Sequence, residues 1–184
     1  MTEYRPIFSI RKCYVIKIIA YDQASSLSGV AVFEDDKLIK YDLIDLHKDK
    51  NMEHRVCDMI KILGEYIIDN MPDYVIFEGV SLQTNVSTLL LLAQIQGAIM
   101  QTCVMNNIPF IVYKPTQWRK ALKFNQGKNI KRPELKQQAK DYVYNKYGLK
   151  LKEDLCDAIC IGEAFILENK KEVGYQLNKT YKKL

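Results

Sequence analysis

Apolar residues run almost unbroken through Val15-Ile16-Lys17-Ile18-Ile19-Ala20-Tyr21 and stop at Asp22. A β-branched run without helical spacing predicts a buried strand over 14–22. Asp22-Gln23-Ala24-Ser25-Ser26 follows as a turn, and alternation over 28–34 and 37–46 predicts a hairpin around Asp35-Asp36. The rhythm then changes. Met52, Val56, Met59, Ile60, Leu63 and Ile67 recur at helical spacing over 51–70, and Asn70-Met71-Pro72-Asp73 ends the helix. Tyr74-Val75-Ile76-Phe77 makes a second short apolar run, stopping at Glu78.

A long helix is predicted over about 86–106, broken by Asn107-Ile108-Pro109, and Phe110-Ile111-Val112-Tyr113 is a further strand. Residues 114–132 are basic and partly irregular, and they hold the only tryptophan, Trp118. Pro133 suits the first turn of a helix that Gly148 stops, and a last helix covers about 153–169. The order β-β-β-α-β-α-β-α-α predicts an α/β fold, a five-stranded mixed sheet with helices on both faces. With no repeat, low-complexity tract or linker, 1–184 reads as a single domain. Its core is about 14–169, preceded by a short extension at 1–12 and followed by a basic tail at 170–184.

Composition adds little until charge is mapped. The apolar share of 48% and charged share of 27% are those of ordinary globular chains. No unbroken apolar run reaches the roughly 18–20 residues that span a bilayer, and the first residues lack signal-peptide order. A cytoplasmic protein without a membrane partner is the expectation. Cys13, Cys57, Cys103, Cys156 and Cys160 are odd in number with no Cys-x-x-Cys pair, so they read as thiols, Cys156 and Cys160 as buried ones. His47 and His54 lack metal-ligand spacing and read as solvated. The net charge of +5 hides an asymmetry: 114–152 holds twelve Lys or Arg against Glu134 and Asp141, leaving the rest net negative. Such a basic stretch is either a solvated surface or a contact for a polyanion.

Four acids change the picture. Asp22 and Glu78 end the two apolar strands, and Asp154 and Asp157 stand at i and i+3 at the start of the last helix. A carboxylate at the end of a buried strand is costly unless a cation or hydrogen bonds compensate it. Taken singly, Asp22 could cap the following turn, and Asp154 could complement the helix dipole. A helical crossover permits the first and fourth strands to be parallel neighbours, which would set Asp22 beside Glu78. Converging carboxylates suit Mg²⁺ or Mn²⁺, and two such ions roughly 3.5–4 Å apart can drive phosphodiester hydrolysis. Asp22 is then the expected bridging ligand, with Asp154 as an additional ligand or water orienter.

The segments Ile-Ile-Ala-Tyr-Asp22-Gln-Ala-Ser, Val-Ile-Phe-Glu78, Leu-Ala-Gln94-Ile-Gln96-Gly97-Ala and Asp154-Leu-Cys-Asp157-Ala-Ile resemble, in order and spacing, the RuvC-type Holliday-junction resolvases of the RNase H-like superfamily. The likeness spans about 14–167, and the Trp118-Arg119-Lys120 segment looks more like phage-encoded relatives than the cellular enzymes. The resemblance implies an RNase H-like fold and a homodimer, in the cytoplasm of a bacterial host if phage-encoded, that nicks four-way DNA junctions symmetrically during recombination or repair. It implies 5′-phosphate products and an active site of Asp22, Glu78, Asp154 and Asp157 holding two Mg²⁺ or Mn²⁺ ions. The family's basic residues near the site fall at Arg119 and Lys136, further DNA contacts would come from Lys120, Lys128, Lys131 and Arg132, and dimer contacts from the helix of Gln94 and Gly97. The chain departs from the family's pattern in two places. Asp22-Gln23-Ala24-Ser25 stands where the family has Asp-Pro-Gly-Ser, and the loop Gly79-Val80-Ser81-Leu82-Gln83-Thr84 has no aromatic, leaving Leu82 as an apolar wedge at most. Trp118 reads as a core or interface anchor or as a base-stacking group, and the tail at 170–184 as a DNA-contacting arm or a frayed end. The alternatives in function are a broader flap or RNA–DNA hybrid nuclease of the same fold, and a junction-binding protein without turnover.

Overall fold

The computed structural model describes the backbone of residues 15–81 and 85–181, and the side chains of 15–81 and 85–169. Among the described residues five strands form one sheet: β1 (Lys17–Asp22), β2 (Leu27–Glu34), β3 (Lys37–Asp45), β4 (Tyr74–Glu78) and β5 (Phe110–Tyr113), in the order β3-β2-β1-β4-β5. β1 lies at the centre, antiparallel to β2 and parallel to β4, and β4 is parallel to β5. The mixed sheet expected from the element order is therefore present. β1 starts at Lys17, later than the expected 14, and Val15 and Ile16 are exposed.

The reason β1 reads as a continuous apolar run is that both of its faces are covered. Ile18 and Ala20, with Ala31, Phe33 and Ile76, pack under α3 (Pro115–Ala121), α4 (Arg132–Tyr147) and α5 (Glu153–Tyr181). Ile19 and Tyr21, with Val30, Val32, Val75 and Phe77, pack under α1 (Met52–Asn70) and α2 (Val86–Met105). The helix starts and stops carry the expected chemistry. Asn51 and Asn85 cap α1 and α2 by accepting from backbone N–H groups of the first turn, and Gly148 ends α4 at φ 70°. The basic segment after β5 is more ordered than its sequence suggests, because it forms α3.

Two glycines let α5 lie close on the sheet. A Cβ on Gly162 of α5 would stand 2.3 Å from the Phe33 ring, and one on Gly29 of β2 would stand 2.1 Å from the Asp154 carbonyl oxygen. α4 is fastened to α5 by the buried Glu163, which accepts from Tyr142 Oη at 3.1 Å and also engages Tyr147 and Lys146. A buried carboxylate is tolerated here because several donors satisfy it together. The C-terminal helix runs on to Tyr181, past its expected end near 169. The side chains of the proposed arm, the extension at 1–12 and Leu82 lie outside the described residues.

α2 reaches the length and composition of a bilayer span even though Gln94, Gln96 and Gln101 interrupt its apolar run. Ile95, Ile99 and Cys103 face the core, whereas Val86, Leu90, Val104 and Met105 are exposed. Cys156 and Cys160 are buried, as expected, and His47 and His54 are exposed.

Candidate active site

Strand alternation decides where the first two acids point. Ile18 and Ala20 face α5, so Asp22, two residues on, shares that face; the same parity carries Ile76 to Glu78 and Ala31 back to Gly29. The parallel register pairs Tyr21 with Phe77, which leaves Asp22 and Glu78 together at the C-terminal ends of β1 and β4. On the other side Asp22 pairs with Gly29, the position whose missing side chain admits the first turn of α5. That turn brings Asp154 and Asp157 over the end of β1. All four acids line one cavity.

Arg119, Arg132 and Lys136 line the same cavity. Lys120, Lys128 and Lys131 are exposed and are not among its lining residues. Gln94 and Gly97 are exposed on α2, and a Cβ at Gly97 would meet open space. The capping reading of Asp22 fails, because the turn after β1 is closed by Ser28, whose Oγ donates to the Ala24 carbonyl and accepts from its N–H, each at 2.9 Å. Asp154 sits in the first turn of α5, where the helix dipole favours a carboxylate.

Three contacts in the site escaped sequence reasoning. Trp118 is fully buried, so it is not free to stack on a base, and its Nε1 donates to Glu78 Oε2 at 2.7 Å. The usable signal was that a buried indole N–H needs an acceptor. Gln23 Nε2 donates to the Glu78 main-chain carbonyl, and Gln23 Oε1 is buried without a partner among the described residues. Lys136 is not a free cation: it pairs with Glu153, which also accepts from Lys140 at 3.0 Å.

The electrostatics follow from crowding acids in a shielded place. Burial raises the Asp22 pKa well above the usual carboxylate range, and Asp157, Glu78 and Asp154 add to the rise while Lys136 opposes it. Asp157 is pushed up to about 7, chiefly by burial and then by Glu78, against Arg119 and Lys136. Burial also raises Glu78, although the Trp118 hydrogen bond, Arg119 and Arg132 pull the other way. These groups share one problem, uncompensated negative charge, and a bound cation would relieve it. The donor set fits a hard divalent ion, being all oxygen. Among the described residues no three acidic, His or Cys side chains stand close enough to form a ready-made ligand shell.

A mixed sheet clad by helices, with carboxylates gathered at the end of its central strand, defines an RNase H-like fold with an acidic cleft. The family model described as "Crossover junction endodeoxyribonuclease RuvC" matches residues 18–162, and the chain belongs to that family. Relatives of that description include one from Chlorobium phaeovibrioides, 29% identical over 110 residues, covering 57% of this chain and 58% of the relative. Another, from Halorhodospira halophila, is 25% identical over 109 residues, covering 58% of this chain and 65% of the relative. The chain thus matches less than two thirds of the length of either relative. Among solved structures, Thermus thermophilus RuvC in complex with Holliday junction substrate has a TM-score of 0.67 at 16% identity, covering 85% of this chain and 96% of that one. The Fowlpox virus resolvase with Holliday junction DNA has a TM-score of 0.53 at 20% identity, covering 82% and 97%. These likenesses show the fold.

Proposed function

We propose that the protein is a divalent-metal-dependent endonuclease that resolves four-way DNA junctions. The observation that carries this reading is the meeting of Asp22, Glu78, Asp154 and Asp157 in one cavity flanked by Arg119, Arg132 and Lys136. The four acids would hold two Mg²⁺ or Mn²⁺ ions. When bound, such a pair supplies the positive charge that makes a water acidic enough to attack and offsets charge building on the leaving oxygen. The chain's own residues do the rest. Asp22 sits at the centre of the set, between the strand bearing Glu78 and the helix bearing Asp154 and Asp157. Arg119 and Arg132 offer guanidinium groups to the phosphate, and the Arg119 Nε is buried without an acceptor among the described residues. Lys136, tied to Glu153, keeps positive charge beside Asp22 and Asp157. Exposed Lys120, Lys128 and Lys131 extend the contact along the backbone, an interaction that sets register without reading bases.

Two sites in a homodimer would place paired nicks in strands of like polarity. The exposed apolar side chains Val86 and Leu90, with the open Gly97 two turns on, make the outer face of α2 the proposed interface. Light scattering at micromolar concentration should give twice the 21.4 kDa chain mass, and Gly97→Glu should shift it to the monomer. A wild-type monomer would remove the dimer from the reading.

The function is tested by incubating the protein with labelled four-way, flap and RNA–DNA hybrid substrates in Mg²⁺ or EDTA. Paired, ligatable nicks confined to the four-way junction and abolished by EDTA are expected. Cleavage of the hybrid alone would point to a different nuclease of this fold, and tight junction binding without cutting would point to a binding protein.

A further inference from the structure

Glu78 is held at both its main chain and its side chain. Gln23 donates to its main-chain carbonyl, and the next residue is tied to the edge strand by Gly79 N–H donating to the Tyr113 carbonyl at 2.7 Å. Its side chain is held by Trp118, from a helix of only seven residues. That indole is not placed by α3 alone. Its ring meets Phe124 edge-on at 5.9 Å, Phe124 meets Tyr142 of α4 in the same way at 5.9 Å, and the Arg119 guanidinium lies 4.6 Å from the indole centroid. An aromatic ladder therefore runs from α4 to one oxygen of Glu78.

The chemistry of the donor matters. An indole N–H donates one hydrogen bond, carries no charge and cannot accept. It can fix the orientation of a carboxylate without neutralising it, whereas a lysine or arginine in the same place would compete with a cation for the charge. We propose that Trp118 is a positioning residue of the site: by holding Glu78 Oε2 it sets the carboxylate's rotamer and leaves Oε1 for a divalent cation. The inference rests on the reading of Glu78 as a metal ligand. Hydrogen bonds to metal-ligating carboxylates typically contribute 10–100-fold to metal affinity. Because Trp118 is the only tryptophan, its emission reports directly on that contact.

The test compares wild type, Trp118→Phe and Glu78→Gln. Each is titrated with Mg²⁺ alone while thermal stability and, for the two proteins that retain the indole, tryptophan emission are followed. Wild type should show a saturable change in emission that Glu78→Gln lacks. Trp118→Phe, which keeps an aromatic ring but has no donor, should need roughly tenfold more Mg²⁺ for the same stabilisation. Equal Mg²⁺ affinity in wild type and Trp118→Phe, with Glu78→Gln impaired, overturns the positioning role and leaves the ligand reading standing. Unimpaired Mg²⁺ binding by Glu78→Gln sinks the ligand reading itself. Should Trp118→Phe fail to fold, the wild-type titration still decides, since emission unchanged at saturating Mg²⁺ counts against the proposal.

Discussion

Asp157→Asn should remove the proposed metal-dependent cleavage, by about 10³-fold or more, and at the same time make the metal-free protein harder to unfold. Loss of rate is expected because charge stabilisation by a cation contributes several kcal/mol to such a reaction, and each 1.36 kcal/mol is tenfold. The gain in stability has the same origin. Asp157 is raised to about 7 from an ordinary value of 3.8, mainly by burial, so holding it ionised in the folded state costs free energy. The folded protein binds more protons than the unfolded chain between about pH 4 and pH 7, and stability falls as pH rises through that window. Asparagine has no charge to desolvate or repel. Its advantage is therefore absent below about pH 4 and complete above about pH 7, where it amounts to about 2–4 kcal/mol. For a chain of this length that is roughly 5–10 °C in Tm. Thermal unfolding of both proteins in EDTA at pH 5 and pH 8 checks it. A variant no more stable than wild type at pH 8 would mean that the cavity does not strain its acids.

Gly29→Ala should do damage out of proportion to one methyl group. The added Cβ would meet the Asp154 carbonyl oxygen at 2.1 Å and its carbon at 2.6 Å, both main-chain atoms of α5 that cannot swing aside. The helix must lift from β2, and it carries Asp154 and Asp157 with it. Overpacking of this kind costs about 1–3 kcal/mol or more, and a displacement near 1 Å in a catalytic arrangement can cost about 10²-fold in rate. Gly162→Ala is the control. Its Cβ would meet the Phe33 ring at 2.3 Å, more than two turns along α5 from Asp154. It should cost similar stability but much less cleavage, read from Tm and from single-turnover rates. Equal losses of rate in the two variants would show that α5 moves as one body and that Gly29 has no special bearing on the site.

The four acids were legible because each stands where local pattern breaks. Asp22 and Glu78 interrupt runs that burial alone would have continued, and Asp154 and Asp157 share one face of a helix by spacing. Arg119 and Lys136 were singled out by the family resemblance alone, and nothing local separated Arg132 from Lys120, Lys128 and Lys131, which lie outside the cavity. Glu153 was passed over beside Asp154, although it is the partner that holds Lys136. Gln23 was noticed as a departure in the turn, whereas its bond to the Glu78 carbonyl depends on how β1 and β4 pair.

By itself the sequence determined the elements other than α3, and the alternation that sets Asp22 on the side of Ile18 and Ala20 and Glu78 on the side of Ile76. Those properties depend on neighbours one to four residues away, and periodicity records them. The tertiary structure alone decided that Trp118 would meet Glu78 across 40 residues of chain and that Gly29 would meet Asp154. Such contacts depend on where a helix comes to rest on the sheet. That is set by the fit of many side chains at once, and no single segment encodes it.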